Sequence, residues 1–284
     1  MSHSVPFSEM PTLIEAVTSY RNQLRDAIIA RGTAGKTAVI RSGKPIHAIH
    51  EAVKSAIEDE GIASERIAPT RGSAKGEMVL TGYVKKKRQD ICIKPEGLGP
   101  SQRDRLSSLL KAGNDKFGKA FTEQTIAINV RSQFSSLAKN FDTLFERTVA
   151  EAHNLHLICP AMVMGEVYMI AAPEYKVKAI EEKKFEPHDP VSIEKYVQAF
   201  EAINRRETLL KDNYVGYEYK YERVCLLVVD FRPEFPIVHE TTKSLEEAGL
   251  IKRNSGIDYS TLGWKGFVRD LIDRHQERFP NRKR

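Results

Sequence analysis

Apolar residues recur at steps of three and four through the first part of the chain, which is the period of an amphipathic helix. One such stretch, PTLIEAVTSYRNQLRDAIIARG, has Pro11 in its first turn, where a missing amide hydrogen is tolerated, and Gly32 where a helix can end. A second stretch, KPIHAIHEAVKSAIEDEGI, ends at Gly61 in the same way. The pattern therefore predicts a helical N-terminal region over residues 1–70.

From Glu77 onward the apolar period shortens to that of β-strands. The segment EMVLTGYVKKKRQDICIKPEGLGP predicts a strand, a basic turn at Lys85–Arg88 and a second strand over Asp90–Ile93. Residues 101–153 return to a helical period. Two further strand-like runs, HLICPAMV and GEVYMIAAPEYKVKAI, follow them.

The rest of the chain alternates helix and strand. Asp189 can cap and Pro190 can begin a helix, VSIEKYVQAFEAINRRETLLKD, and RVCLLVVDF is apolar enough to be buried on both faces. The tail predicts a helix, a turn and a helix. We therefore expect an α/β fold with a mixed central β-sheet flanked by helices. Its core would span 71–240 with a helical insertion at 101–153, followed by a C-terminal helical segment over 241–284.

Charge and composition narrow the class of protein only slightly. The 284 residues carry 44 Lys and Arg against 38 Asp and Glu, a formal net charge of +6, and the sequence pI is near 9.1. This modest excess favours an acidic partner such as nucleic acid. No apolar run approaches the roughly 18–20 residues of a membrane helix, and the N-terminus lacks the order of a signal peptide. We expect a soluble, cytoplasmic protein.

Three cysteines, Cys92, Cys159 and Cys225, each lie in an apolar strand-like run. An odd number without CxxC spacing argues against a disulfide framework and against a zinc site. We expect three reduced thiols in the core.

Two patterns resemble ligand sites but lack a required part. GTAGKT at Gly32–Thr37 has two residues between its first glycine and the Gly-Lys pair, where a phosphate-binding loop needs four, and it follows a helix. His47 and His50 lie three apart on a predicted helix, and no third metal ligand is indicated nearby. We expect neither nucleotide nor metal at these positions.

Acidic side chains near the predicted strands indicate another chemistry. Mg²⁺-dependent phosphodiester cleavage needs two or three acidic oxygens around one hard cation, and a nearby lysine can stabilise the developing charge. Alternate residues of a strand share a face, so an E-x-K unit presents both groups to one site. KKKRQDICIKP supplies Asp90 directly after four cations, and EYK supplies Glu174 and Lys176 at the required spacing.

In these residues the chain resembles the PD-(D/E)xK nuclease superfamily and, within it, the type II restriction endonucleases. The resemblance covers residues 77–231. It implies a restriction-endonuclease-like fold and a Mg²⁺-dependent homodimer that cuts double-stranded DNA at a short specific sequence. It also implies that Asp90 and the acid of the E-x-K unit bind Mg²⁺, while Lys176 orients water or stabilises charge.

A second carboxylate, Glu166, is an alternative to Glu174 as the metal-binding acid. Pro173 removes a ladder hydrogen bond directly before Glu174, which is awkward inside a central strand. Glu166 instead lies in the apolar run MVMGEVYMI, where a carboxylate must be buried and paired or must face a site. In that register Tyr168 takes the lysine position. The candidates are, in order, Asp90 and Glu166, then Glu174 with Lys176, then Glu77 and Glu146.

Cations and amides beside these acids are the candidates for DNA contact. Cations hold backbone phosphates, whereas Arg, Asn and Gln can read base edges with paired hydrogen bonds. The candidates are Lys85, Lys86, Lys87 and Arg88 beside Asp90, then Asn129, Arg131, Ser132 and Gln133 in INVRSQFSS, and more weakly Arg205, Arg206 and Arg282–Arg284. The lysine run could equally be a solvated surface, and INVRSQ could be a polar loop.

Two other functions stay open. The tail TTKSLEEAGLIKRNSGIDYSTLGWKGFVRDLI has the short helix, polar turn and apolar segment of a winged-helix DNA-binding regulator, which would bind DNA without cutting it. A metal-independent enzyme could instead use the carboxylates as acid and base on small anionic substrates. Cutting that requires Mg²⁺ separates the nuclease from both.

Overall fold

A computed structural model describes residues 12–73, 75–110, 113–134, 137–206 and 216–280. Its helices are α1 (Leu13–Arg41), α2 (Lys44–Asp59), α3 (Lys119–Glu123), α4 (Leu137–His156), α5 (Val177–Glu181), α6 (Glu194–Ile203), α7 (Thr242–Glu247) and α8 (Phe267–Arg278). Its strands are β1 (Ile67–Ala68), β2 (Val79–Thr81), β3 (Lys86–Arg88), β4 (Ile91–Ile93), β5 (Ile126–Gln133), β6 (Val163–Ala171), β7 (Arg223–Asp230) and β8 (Ile237–His239). None of the described helices is long and apolar enough to cross a membrane.

Six strands form one mixed sheet in the order β1-β4-β5-β6-β7-β8, and β2 pairs with β3 in a separate hairpin. The three central strands β5, β6 and β7 are parallel. On either side of them, β4 and β8 run antiparallel to their inner neighbours, and β1 runs antiparallel to β4. The predicted mixed central sheet flanked by helices is confirmed.

Helices cover both faces of this sheet because its central strands are apolar on both sides. Every residue of β6 and β7 is buried, which confirms the doubly buried strand predicted from RVCLLVVDF. Apolar residues of α1, α2 and α8 pack on one face, and those of α4 and α6 pack on the other. The three cysteines are free and buried, as predicted.

The first helix begins as expected but does not end at Gly32. Thr12 and Glu15 form a capping box at its start. At Gly32 the chain bends, with φ of 55°, and continues as helix to Arg41. A Cβ atom at Gly32 would lie 2.8 Å from the carbonyl oxygen of Ile180, so glycine lets α1 pass close to α5. GTAGKT is therefore a helical segment.

The basic run was predicted to be a turn, but most of it is strand. Lys86–Arg88 form β3, which pairs with β2, and the turn between them covers residues 82–85. The chain then enters the central sheet as β4, close to the predicted Asp90–Ile93 strand. The basic residues thus lie on a small hairpin just before the sheet.

The predicted helical insertion at 101–153 is wrong in its first part. The described residues between 101 and 118 form turns, because the Asp115 carboxylate accepts hydrogen bonds from Leu106 N–H at 2.9 Å and Gly118 N–H at 2.9 Å. A side chain that binds backbone donors in this way competes with a helix. The segment then supplies β5, a central strand of the sheet, and only α4 matches the predicted helix.

The C-terminal segment packs into the core of the sheet. α7 has six residues, and the helix after it, α8, lies directly on β6. A Cβ atom at Gly165 of β6 would lie 2.6 Å from Leu271 Cδ1 and 3.0 Å from Phe267 Cζ of α8. The apolar face that a winged helix would place in its own small core is used here to cover the sheet.

A buried carboxylate ties α8 to the start of β7. Glu222 Oε1 accepts hydrogen bonds from Arg278 at 2.8 Å and from Arg206 at 3.2 Å, and its Oε2 accepts one from Met164 N–H at 2.6 Å. Burial alone would raise the pKa of Glu222, but His156 and Arg278 hold it well below its usual value. The carboxylate is therefore charged and fully paired inside the protein.

Candidate active site

Strand β5 presents polar side chains to α4 in the middle of the sheet. Asn129 and Arg131 alternate with apolar residues that pack on the opposite helices. The parallel register places Asn129 beside Glu166 of β6. Since alternate residues of a strand share a face, Asn129, Arg131 and Glu166 lie on the same face of the sheet.

Arg131 is the centre of a buried charged cluster. Its Nη1 donates hydrogen bonds at 2.8 Å to Glu166 Oε1 and at 2.8 Å to Thr148 Oγ1. Its Nη2 contacts the Glu151 carboxylate, which also pairs with Lys87 Nζ at 3.0 Å. Two cations and two carboxylates from β3, β5, α4 and β6 thus meet at one place, which we call the Arg131 cluster.

Asp90 borders this cluster at the start of β4. Its Oδ2 accepts a hydrogen bond from Val130 N–H at 2.8 Å, which holds the carboxylate against β5. Burial raises the pKa of Asp90, while the hydrogen bond from Val130 and the charges of Arg131 and Lys87 oppose that rise. The structure therefore brings Asp90 into the electrostatic environment of Lys87 and Arg131.

Glu166 is fully buried, and its pKa is strongly perturbed. Burial raises its pKa to about 8, with Arg131 opposing the shift and with Glu151 and Asp90 adding to it. The attraction of Arg131 is therefore smaller than the cost of burying a third carboxylate beside two others. The same carboxylates raise the pKa of Arg131 against the effect of its burial, so the guanidinium remains charged.

Three polar atoms in or beside the Arg131 cluster have no hydrogen-bond partner among the described residues. They are Glu166 Oε2, Glu151 Oε1 and Asn129 Nδ2, and each is buried. Buried polar atoms are nearly always paired with protein, water or an ion. The cluster therefore has capacity for a further ligand. No group of three or more His, Cys, Asp or Glu side chains in the described ranges is arranged to hold a metal ion.

The chain matches no protein-family model and has no significant similarity to any curated protein or solved structure compared with it. Interpretation of the cluster therefore depends on its own geometry.

The other predicted acidic register lies elsewhere in the fold. Strand β6 ends at Ala171, so Glu174 and Lys176 are not on a strand, and eight residues separate Glu174 from Glu166 along the chain. Glu174 Oε1 accepts a hydrogen bond from Leu137 N–H at 3.2 Å at the start of α4. Lys176 is exposed just before α5. The proline before Glu174 ends the strand, as its missing donor suggests.

The predicted DNA-contact residues fall into several environments. Lys85 and Arg88 are exposed, Lys86 contacts the carbonyl oxygen of Asn114, and Lys87 joins the Arg131 cluster. INVRSQ is not a polar loop, because it forms β5.

Within β5, Gln133 is buried and accepts hydrogen bonds from Tyr168 at 3.0 Å and Tyr196 at 2.8 Å. Ser132 Oγ lies 3.3 Å from the hydroxyl of Tyr20 on the opposite face of the sheet. Asn129 is also buried. Of the four candidates in β5, Arg131 therefore has the most direct access to a ligand at the cluster.

The lower-ranked candidates lie outside the Arg131 cluster. Glu77 pairs with Arg88 at 3.2 Å, and Glu146 is exposed on α4. Arg205 is exposed, whereas Arg206 is buried against Glu222. Arg282–Arg284 lie outside the described residues.

Thr148 and Glu151 were not predicted as site residues. They lie three apart on α4, so they share one face of the helix, and both are buried among apolar residues. A threonine and a glutamate on an otherwise apolar helix face are the signal that could have identified them. Their partner could not be identified from the sequence, because Arg131 lies on strand β5, inside the region that was predicted to be helical.

Proposed function

We propose that the protein is a Mg²⁺-dependent endonuclease with a restriction-endonuclease-like fold, which hydrolyses phosphodiester bonds of double-stranded DNA at a specific sequence. In this proposal it is a cytoplasmic type II restriction enzyme. The observation that supports it best is the approach of Asp90 and Glu166, from different strands, to a single cluster that also holds Lys87 and Arg131. Phosphoryl chemistry needs this combination of hard oxygen ligands and cations.

The oxygens of the cluster fit a magnesium ion. Mg²⁺ is usually held by one or two carboxylates together with waters and substrate phosphates, so a site needs few protein ligands. Asp90 and Glu166 would hold the ion, and the unpartnered Oε2 of Glu166 is available for it. When bound, Mg²⁺ would polarise the scissile phosphate and lower the pKa of the attacking water.

The cations of the cluster have their own part in the proposed reaction. Arg131 bonds carboxylates through both Nη1 and Nη2, and the same fork matches two phosphate oxygens. We expect Arg131 to exchange carboxylate for phosphate when DNA binds, while Lys87 balances the charge of Glu151. Lys87 is the lysine that contacts this cluster, so it takes the charge-stabilising role that the sequence assigned to Lys176.

Cutting of both strands calls for two active sites. A two-fold symmetric homodimer would place one site on each strand of a palindromic target. The exposed Lys85 and Arg88 lie on the hairpin beside Lys87 and would contact backbone phosphates there.

The test is incubation of the purified protein with long duplex DNA in Mg²⁺ or in EDTA. We expect discrete fragments only with Mg²⁺, and at least about a hundredfold loss of cutting in Asp90→Asn and Glu166→Gln, because an amide cannot become the anionic oxygen ligand that the ion needs. Glu146→Gln is the matched control, since Glu146 is exposed on the helix that carries Glu151. Intact DNA across many substrates, or equal cutting in EDTA, would contradict the proposal.

A further inference from the structure

We propose that a second site, at the carboxyl ends of β5 and β6, binds one nucleobase that carries an exocyclic amino group, as adenine, cytosine and guanine do. The base could come from an unpaired nucleotide of a DNA substrate or from a free nucleotide. Only the first source rests on the proposed function. The site is a cavity of about 270 Å³ between the start of α4, the turn after β6 and the segment that leads into α6. We call it the base pocket.

The size and lining of the base pocket fit a single aromatic ring system. Small-molecule pockets usually span about 300–1,000 Å³, so this cavity suits one ring system rather than a larger ligand. Phe141 and Tyr196 form part of its wall, with ring centroids 4.4 Å apart and planes at 67°. Buried apolar and aromatic side chains of this kind are the usual lining of sites for flat ring ligands.

The carboxylate of Glu174 in the pocket favours a ligand with an amino group. The single hydroxyl proton of Tyr196 is shared between Gln133 Oε1 at 2.8 Å and the Leu137 carbonyl at 2.7 Å, so this hydroxyl has no donor left for a ligand. Glu174 uses Oε1 to accept from Leu137 N–H, and its Oε2 has no donor in the part of the chain that the structure describes. A carboxylate oxygen accepts hydrogen bonds and never donates when charged, so it favours the amino group of cytosine or adenine over the carbonyl of uracil or thymine.

A cation at the rim of the pocket fits the phosphate of a nucleotide. Lys195 Nζ lies 4.5 Å from the centroid of the Phe141 ring and 2.8 Å from Asp142 Oδ1, and its side chain is 67% exposed. Lys36 lies near enough to Glu174 for the two charges to attract. The pocket therefore combines buried aromatic side chains, the Glu174 carboxylate and an exposed lysine, which together fit a base with its phosphate.

The base pocket and the Arg131 cluster lie along the same face of β5. Gln133, which bonds Tyr196 of the pocket, is two residues beyond Arg131 on that strand, so its side chain shares a face with Arg131. Tyr168 and Gln133 form a buried hydrogen-bonded layer between them. A strand held at the cluster by its phosphate could therefore place a nearby unpaired base in the pocket.

The first experiment measures nucleotide binding by isothermal titration calorimetry in EDTA with AMP, CMP and UMP. We expect AMP or CMP to bind at least about tenfold more tightly than UMP, because uracil would face Glu174 with an unpaired acceptor. In Glu174→Gln the preference should fall to near unity, since the amide can also donate to the uracil carbonyl. Glu181→Gln, an exposed acid on α5 outside the pocket, should bind as the wild type does.

A second variant keeps the proposal testable if Glu174→Gln does not fold. Val191 lines the pocket and is 69% exposed, so Val191→Trp should fill the mouth and abolish binding of all three nucleotides while Glu174 is intact. Equal affinity of the wild type for the three nucleotides, or no saturable binding of any, would overturn the proposal. So would a Glu174→Gln variant that melts like the wild type and keeps the preference.

Duplexes with a single bulged adenine or a bulged thymine then distinguish the two sources of the base. Tighter binding of the adenine bulge assigns the pocket to an unpaired base of DNA, and binding of AMP or CMP without it assigns the pocket to a free nucleotide. Because these measurements are made without metal, loss of nucleotide binding and loss of Mg²⁺-dependent cutting are separate results. A protein that binds AMP but does not cut DNA would contradict only the nuclease.

Discussion

Arg131 is the residue on which the charges of the cluster depend. Glu151 and Glu166 have side-chain exposures of 2% and 0%, and both are paired with its guanidinium. A buried carboxylate that loses its partner keeps its desolvation cost without the compensating attraction. Arg131 therefore stabilises the fold in addition to any part in catalysis.

We expect Arg131→Met to lower the free energy of unfolding by about 3–5 kcal/mol, because it leaves the buried Glu151 carboxylate without its main cation and the buried Glu166 without its hydrogen-bond donor. Urea denaturation followed by circular dichroism measures this change. Arg147→Met, an exposed position on α4, should differ from the wild type by less than about 0.5 kcal/mol. Equal losses in the two variants would show that the ion pairs of Arg131 do not stabilise the protein.

His50 makes stability depend on pH below neutrality. Burial lowers its pKa from 6.5 to about 4, with His47 and Lys54 adding to the shift. Between these values the unfolded chain binds the proton and the folded protein does not, so stability is present above pH 6.5 and is lost as the pH falls toward 4. From pH 7 to pH 4 this histidine should account for a loss of about 3 kcal/mol.

The measurement is the difference in unfolding free energy between pH 7 and pH 4 in the wild type and in His50→Leu. The variant should lose about 3 kcal/mol less than the wild type over this range. His188→Gln, an exposed histidine, should keep the wild-type dependence. An unchanged pH dependence in His50→Leu would refute the assignment.

At the scale of elements, apolar periodicity predicted α1, α2, α4 and β7 but not the middle of the chain. Strand β5 was not predicted, because its Asn, Arg and Gln face α4, Tyr168 and Tyr196, and these polar residues give IAINVRSQ the composition of a loop. The helix expected near residue 110 failed because Asp115 takes its backbone donors. The first error comes from side chains whose partners are distant in sequence, and the second from a side chain that binds nearby backbone donors.

The close contact between β6 and α8 gives a prediction at this scale. Gly165→Ala would place a Cβ atom 2.6 Å from Leu271 Cδ1 and 3.0 Å from Phe267 Cζ, so the side chains of α8 or the strand must shift. We expect a loss of about 1–3 kcal/mol in the free energy of unfolding, as overpacked cores usually show. Gly99→Ala is the control, because a Cβ atom there has no neighbour within 4 Å. The two variants are compared by urea denaturation, and equal stability would contradict this packing.

At the scale of the molecule, the sequence predicted the architecture better than the site. Helix and strand periods were enough to predict a mixed sheet flanked by helices. Glu166 was predicted to be buried and paired or to face a site, because a carboxylate in an apolar strand has few alternatives. Arg131 and Glu151, which complete its surroundings, are 35 and 20 residues from the partners that define them. No local sequence pattern indicates a pairing between residues this far apart.

The charge distribution predicts how DNA binding responds to salt. Each phosphate contact releases a counterion, so the slope of log K against log salt becomes shallower by about one for each cation removed. We expect this change in Lys85→Ala and in Arg88→Ala, measured by fluorescence anisotropy in EDTA. Lys243→Ala, just after the strand β8 at the other edge of the sheet, should keep the wild-type slope. Identical slopes in all three variants would remove the β3 hairpin from the DNA interface.

The pairing of Glu222 with Arg278 also affects how the protein is made. During synthesis β6 and β7 leave the ribosome well before residue 278. The Glu222 carboxylate therefore lacks one of its two arginine partners while the adjacent strand β7 is already available for pairing. Nascent chains stalled before that residue should expose the β6–β7 edge to proteases and chaperones. The part of the sheet that α8 covers would be buried only after α8 has been translated.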